Sequence, residues 1–183
     1  MSNKHIKLFE NWVLEKVDES KRESPEIGKL RMIVFGASRY LRNSIKTITE
    51  HIRTFEKMGI DEPEFIQSLQ IAVEKGEDLL NSCIILSDDI DSGLLNVLKA
   101  QKIMDDVNKG KRFIDRLIKD IESIVDDGLQ ESVFGGVVDR IASIANRVVR
   151  IVDNLSELSE KINKSLKQIE RESGIYGYQK KEK

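Results

Sequence analysis

The sequence predicts an all-α protein: an antiparallel up-down four-helix bundle of long helices, with an additional short N-terminal amphipathic helix. Three observations carry that expectation. Apolar residues recur every three or four positions through four successive segments, the spacing that holds one side of a helix against a core. Two prolines and eleven glycines in 183 residues are too few for a turn-dense chain of short strands. The breaks between segments are short, and short connections make consecutive helices antiparallel neighbours. A chain of this length can bury enough surface to fold without a disulfide or a metal.

Residues 1–25 are read as the N-terminal helix and a polar linker. Ile6, Leu8, Phe9, Trp12, Val13 and Val17 share one half of a helical wheel, and Lys4, Lys7, Glu10, Asn11, Glu15 and Asp18 take the other. The linker DESKRESP follows, its Ser24 and Pro25 suited to the N-cap and the first turn of what comes next. The bundle is assigned to residues 26–173 and a frayed basic tail to 174–183.

The first long helix is predicted over Glu26 to Met58, on Ile27, Leu30, Val34, Ala37, Leu41, Ile45, Ile48, Ile52 and Phe55, with Gly59 as its stop. The second runs from Glu62 to Leu86 on Phe65, Leu69, Ala72, Gly76, Leu79, Cys83 and Leu86. The segment SDDIDSG is expected to end it, with Asp88, Asp89 and Asp91 capping an interhelical turn. The third is predicted over Leu94 to Val125, one helix despite Gly110, since its apolar frame continues through NKGK. The fourth is predicted from Phe134 to Ile169, its apolar face widened by Val138, Ala145 and Val152 as far as Leu155. The second helix should be the shortest and the fourth the longest. The end of the fourth should then overhang, leaving Leu158, Ile162, Leu166 and Ile169 to meet Leu8 and Trp12 in a self-association surface.

Candidate chemistry is sparse. His5 and His51 are the only histidines and Cys83 the only cysteine, so no disulfide framework and no paired-metal motif can be assembled. No catalytic residue, cofactor or metal ligand is predicted. Cys83 lies on an apolar stripe and reads as a small buried hydrophobe. Asp105 with Asp106, and Asp126 with Asp127, read as solvated pairs. Gly76 and Gly110 face the core, where they allow close helix approach or, alternatively, leave a cavity for a small apolar ligand or lipid.

Charge is unevenly distributed. Residues 26–58 carry seven basic and three acidic side chains, whereas residues 59–108 carry three basic and eleven acidic. Arg31, Arg39, Arg42, Lys46, Arg53 and Lys57 line one outer face of the first long helix with Phe35 among them, a candidate face for nucleic acid or another anionic polymer. No segment has the apolar run of a signal peptide or a membrane span, so a soluble, cytoplasmic protein is expected. The expected function is that of a non-catalytic structural or interaction protein. Its expected partners are itself or another protein, with nucleic acid as the alternative and a membrane disfavoured.

Overall fold

Four helices account for nearly all of the chain described by the computed structural model, which covers residues 24–60, 62–93, 96–130 and 134–172, the side chains of 127–130, 134–138 and 172 excepted. They are α1 (Pro25–Lys57), α2 (Pro63–Asp91), α3 (Val97–Gln130) and α4 (Phe134–Glu172). No strand occurs among the described residues. The N-terminal segment holding Leu8 and Trp12, and the tail 174–183, lie outside them.

Each helix begins and ends for a local reason. At the start of α1 the Ile27 amide donates to the Ser24 hydroxyl at 3.2 Å, and Pro25 occupies the first turn, where its missing N–H is no loss. At its end Gly59 takes a φ of 71°, so its amide reaches the Glu56 carbonyl at 3.1 Å and that of Ile60 reaches Phe55 at 3.0 Å. Those two bonds satisfy carbonyls that a helix end leaves open. The chain reverses there, and Phe55 and Phe65 meet edge to face with ring centroids 5.7 Å apart. The α3 start is capped by Asn96, whose side-chain oxygen accepts from the Lys99 amide at 3.2 Å.

The second helix does not end at Leu86. It continues through Ser87 to Asp91, and Ser92 takes the C-cap position, its amide bonded to the Asp88 carbonyl and the Gly93 amide to that of Ile90. Asp88, Asp89 and Asp91 are therefore last-turn residues and not caps. The extension is held by Ile90, four residues beyond Leu86 on the same stripe and 6% exposed. Likewise α3 runs through Asp126 and Gly128 to Gln130.

Helices α1 and α2 touch near Phe55 and Phe65 at one end and near Arg31 and Asp91 at the other, where the ion pair measures 2.8 Å. Helices α3 and α4 touch at Lys161 with Asp106 and at Arg147 with Asp120. The other extensive contacts pair α1 with α3 and α2 with α4. Consecutive α2 and α3, expected as neighbours, touch only lightly. Two hairpins laid side by side account for this, because each helix then has one sequence neighbour and one neighbour from the other hairpin.

Leu41, Ile48, Leu69, Leu79, Val107, Ile114, Leu117, Ile121, Val148 and Leu155 are wholly buried along this axis. Each such side chain contributes ~1.5–3 kcal/mol against leaving it in water. The glycines in the core are packed over. A Cβ on Gly76 would stand 3.0 Å from Ile45 Cγ1, and one on Gly110 would stand 2.5 Å from Leu79 Cδ1. Neighbouring side chains fill the space beside both, which leaves no cavity at either glycine for an apolar ligand.

Candidate functional site

The overhang at the far end of α4 is not open. Leu158, Ile162, Leu166 and Ile169 are 9, 1, 3 and 5% exposed, so the expected self-association patch is part of the core. The reason is the register of α2 beside α4, which sets Ser159 against Asp78 and brings Asp89 close enough to Glu170 for their charges to repel.

The large apolar side chains left open lie elsewhere. On α1, Met32, Ile33 and Phe35 are 71, 49 and 64% exposed. Gly28 and Gly36, one turn to either side of Met32, have open space where a side chain would be. Beyond this apolar stretch the same helix becomes basic. Arg39, Arg42, Lys46, Arg53 and Lys57 are all exposed, because long cations are not buried without partners. Arg31 belongs to that stripe in sequence but is drawn to Asp91 of α2. Lys46 sits 3.6 Å from Glu50. Among the described residues Arg39, Arg42, Arg53 and Lys57 make no ion pair.

Sequence periodicity missed a polar cluster inside the bundle. Asp106, expected to be solvated, is 4% exposed. Its two carboxylate oxygens accept from Lys109 at 2.8 Å and Lys161 at 2.7 Å. Burial acts to raise its pKa, but the hydrogen bonds and charges of the two lysines outweigh that and hold the carboxyl below its ordinary value. Nearby, the Ser159 hydroxyl donates to Asp78 of α2 at 2.8 Å, and Lys75 lies 3.1 Å from the same carboxylate oxygen. Toward α1, the Tyr40 hydroxyl donates to Asp115, and the Lys111 ammonium sits 4.6 Å from the centre of the Tyr40 ring. Cys83 is fully buried, and that burial pushes its thiol up to about 11 despite a hydrogen bond with Ser38 and the charge of Lys111. A thiol so placed is a packing residue.

A concave site lies along the outer junction of α3 and α4. A groove of about 370 Å³ has Phe113 and Ile151 among its lining, with Arg116 and Lys119 contributed by α3 and Arg147 and Arg150 by α4. Asp120 is its one carboxylate, 3.4 Å from Arg147, and Asn154 completes it. The Asn154 amide donates to the Arg150 carbonyl at 2.7 Å. Composition windows conceal this groove, because its cations come from segments about thirty residues apart. The signal that could have found it is a repeated spacing: Arg116 with Lys119, and Arg147 with Arg150, each one turn apart.

Among the described residues no helix is long and apolar enough to cross a membrane. No family model, no curated protein and no solved structure matches the chain.

Proposed function

We propose that the chain is a non-catalytic interaction module, an up-down-up-down bundle of two helical hairpins that associates with a second copy of itself through the outer face of α1. The opposite-sense contacts of α1 with α2, and of α3 with α4, support the bundle topology. The observation that carries the docking face is the exposure of Met32, Ile33 and Phe35 together on one short stretch of one helix. Contiguous apolar surface of that kind marks contact sites on water-soluble folds. The glycines on either side of Met32 leave the backbone open to close approach. A two-fold axis near Met32 sets Gly28 of one copy beside Gly36 of the other and carries the basic stretch 39–57 of each clear of the contact.

Light scattering on the intact chain tests this reading. The wild type is expected to run as a dimer, and Met32→Glu with Phe35→Glu as a monomer of unchanged helical content. A wild type that stays monomeric as its concentration is raised refutes self-association.

One observation favours a second reading. Arg39, Arg42, Arg53 and Lys57 are exposed with no ion pair among the described residues, an arrangement suited to phosphate groups along a polymer. Nucleic-acid binding that falls steeply with salt, and is abolished by changing Arg39, Arg42 and Lys46 to glutamine, is the expected outcome of that reading. Binding left unchanged in the triple variant eliminates the stripe.

A further inference from the structure

We propose that the groove between α3 and α4 is a binding site for a ligand with adjacent phosphates, of the nucleoside di- or triphosphate class. The proposal is independent of the α1 face, which lies on another helix and is convex.

Four cations converge there by construction. Arg116 and Lys119 are one turn apart on α3, and Arg147 and Arg150 are one turn apart on α4. The ion pair of Asp120 with Arg147 marks the register of the two helices, which sets one pair across the groove from the other. Positive charge in the groove is poorly balanced. Asp120 is its single carboxylate, and with 19% of its side chain exposed it is held beneath Arg147. Arg116, Lys119 and Arg150 make no ion pair among the described residues. Asp115, the carboxylate that precedes Arg116 on α3, accepts from Tyr40 of α1 instead. Like charges one turn apart on a helix oppose folding. An anion that bridges them removes that repulsion and gains charge-assisted hydrogen bonds.

The chemistry of the lining narrows the anion. Two or more guanidinium groups present forked donors that match phosphate oxygens in pairs. Four cations against one carboxylate suit two or three phosphate groups better than one. The lining is not polar throughout: Phe113 and Ile151 offer an apolar surface beside the cations. The Asn154 amide nitrogen is used on the Arg150 carbonyl, which leaves its oxygen to accept from a sugar hydroxyl or a base amino group. A volume of about 370 Å³ is within the range of small-molecule sites. Phosphates, a hydrogen-bonding sugar and a planar base fit this combination.

Calorimetric titration of the intact chain at low ionic strength decides the matter. The probes are a nucleoside triphosphate, the corresponding nucleoside without phosphates, and a single-stranded oligonucleotide. The triphosphate is expected to bind saturably and the nucleoside not to bind. Arg116→Gln with Arg150→Gln should lower the triphosphate affinity by at least roughly 100-fold, the loss of two charged hydrogen bonds, with helical content unchanged. The α1 variant carrying Arg39→Gln, Arg42→Gln and Lys46→Gln should bind as the wild type does. No saturable binding of the triphosphate overturns the proposal, as does equal binding by the groove variant or an equal loss in the α1 variant. An oligonucleotide that binds where the triphosphate does not also overturns it.

Discussion

Removing both lysines from Asp106 should destabilise the bundle more than removing Asp106 itself. The asymmetry follows from burial. The Asp106 side chain is 6% exposed, whereas those of Lys109 and Lys161 are 56 and 52% exposed. A lysine that loses its partner turns its ammonium into water, whereas a carboxylate that loses both lysines stays buried and unpaired. Each charged hydrogen bond at this site contributes ~1.5–3 kcal/mol, so Lys161→Met alone, which keeps the aliphatic stem, should cost about that much. Lys109→Met with Lys161→Met leaves a buried charge with no partner, a loss of ~3–5 kcal/mol. In a chain of this size that is a fall in Tm of roughly 6–20 °C. Adding Asp106→Asn to the double variant removes the stranded charge and should restore more than half of the loss.

The pH dependence supplies a sign that packing changes do not share. The folded-state pKa of Asp106 lies below the ordinary carboxylate value. Its contribution is therefore fully present above the unfolded pKa of about 3.9 and is lost as the pH falls through the folded one. In the double variant burial acts alone, so the folded pKa should move above the ordinary value and acid should relieve the strain. Urea unfolding at neutral pH and again near pH 3 should show the gap between wild type and double variant closing. A double variant as stable as the wild type at neutral pH, or a gap that does not change with pH, refutes the assignment of Asp106 as a buried charge held by two surface lysines.

Three other substitutions and one reagent test the packing and the charge at a helix end. In the monomeric Met32→Glu, Phe35→Glu background, Gly36→Ala, with open space at its Cβ, should gain ~1 kcal/mol from helix propensity, whereas Gly110→Ala, which drives a Cβ to 2.5 Å from Leu79 Cδ1, should lose ~1–2 kcal/mol net; thermal unfolding of the two variants should move in opposite directions. Cys83 should resist a maleimide at pH 8 in the folded protein and react promptly in denaturant, because burial pushes its thiol up to about 11; rapid labelling of folded protein would contradict its burial. Burial, Glu170 and Asp88 all raise the pKa of Asp89 in the last turn of α2, so its charged form opposes folding above the unfolded pKa. Asp89→Asn should stabilise by ~0.3–1 kcal/mol at neutral pH and low salt, as expected for a carboxylate taken from a helix C-terminus, and a gain that persists near pH 3 would rule out charge as the cause.

The core was readable because it is written locally. Every step of three or four in α2, from Phe65 to Leu86, falls on a buried residue, and so does every step in α3 from Ala100 to Ile124. The reading failed where local chemistry and global packing disagreed. The run Ser87, Asp88 and Asp89 carries the signature of a helix end, yet Ile90 is buried four residues past Leu86, and the gain from burying it outweighs the weak helix preference of its neighbours. The supposed overhang is closed by register: with Ser159 against Asp78 and Glu170 near Asp89, Ile162 and Leu166 lie beside α2 itself. A periodicity that counts only apolar residues could not place Asp106 or Ser159 inside, although Ser159 continues the seven-residue spacing of Val138, Ala145 and Val152.

Surface sites follow a different rule. The α1 stripe was legible because all its cations belong to one helix, and a single wheel gathers them. The α3/α4 groove was not, because α3 is nearly neutral as a segment and its charges sort onto separate sides only once partners are fixed. Asp115 turns to Tyr40 on the α1 side and Asp106 turns inward to Lys161, which leaves Arg116 and Lys119 in the groove lining. The carboxylates that would balance those cations in a composition count are thus spent elsewhere in the fold. A segment that averages to near zero charge can expose a strongly positive face whenever its acidic residues are the ones the core and the neighbouring helices take up. In this bundle the helix with the least conspicuous charge in sequence helps form a concave cationic site.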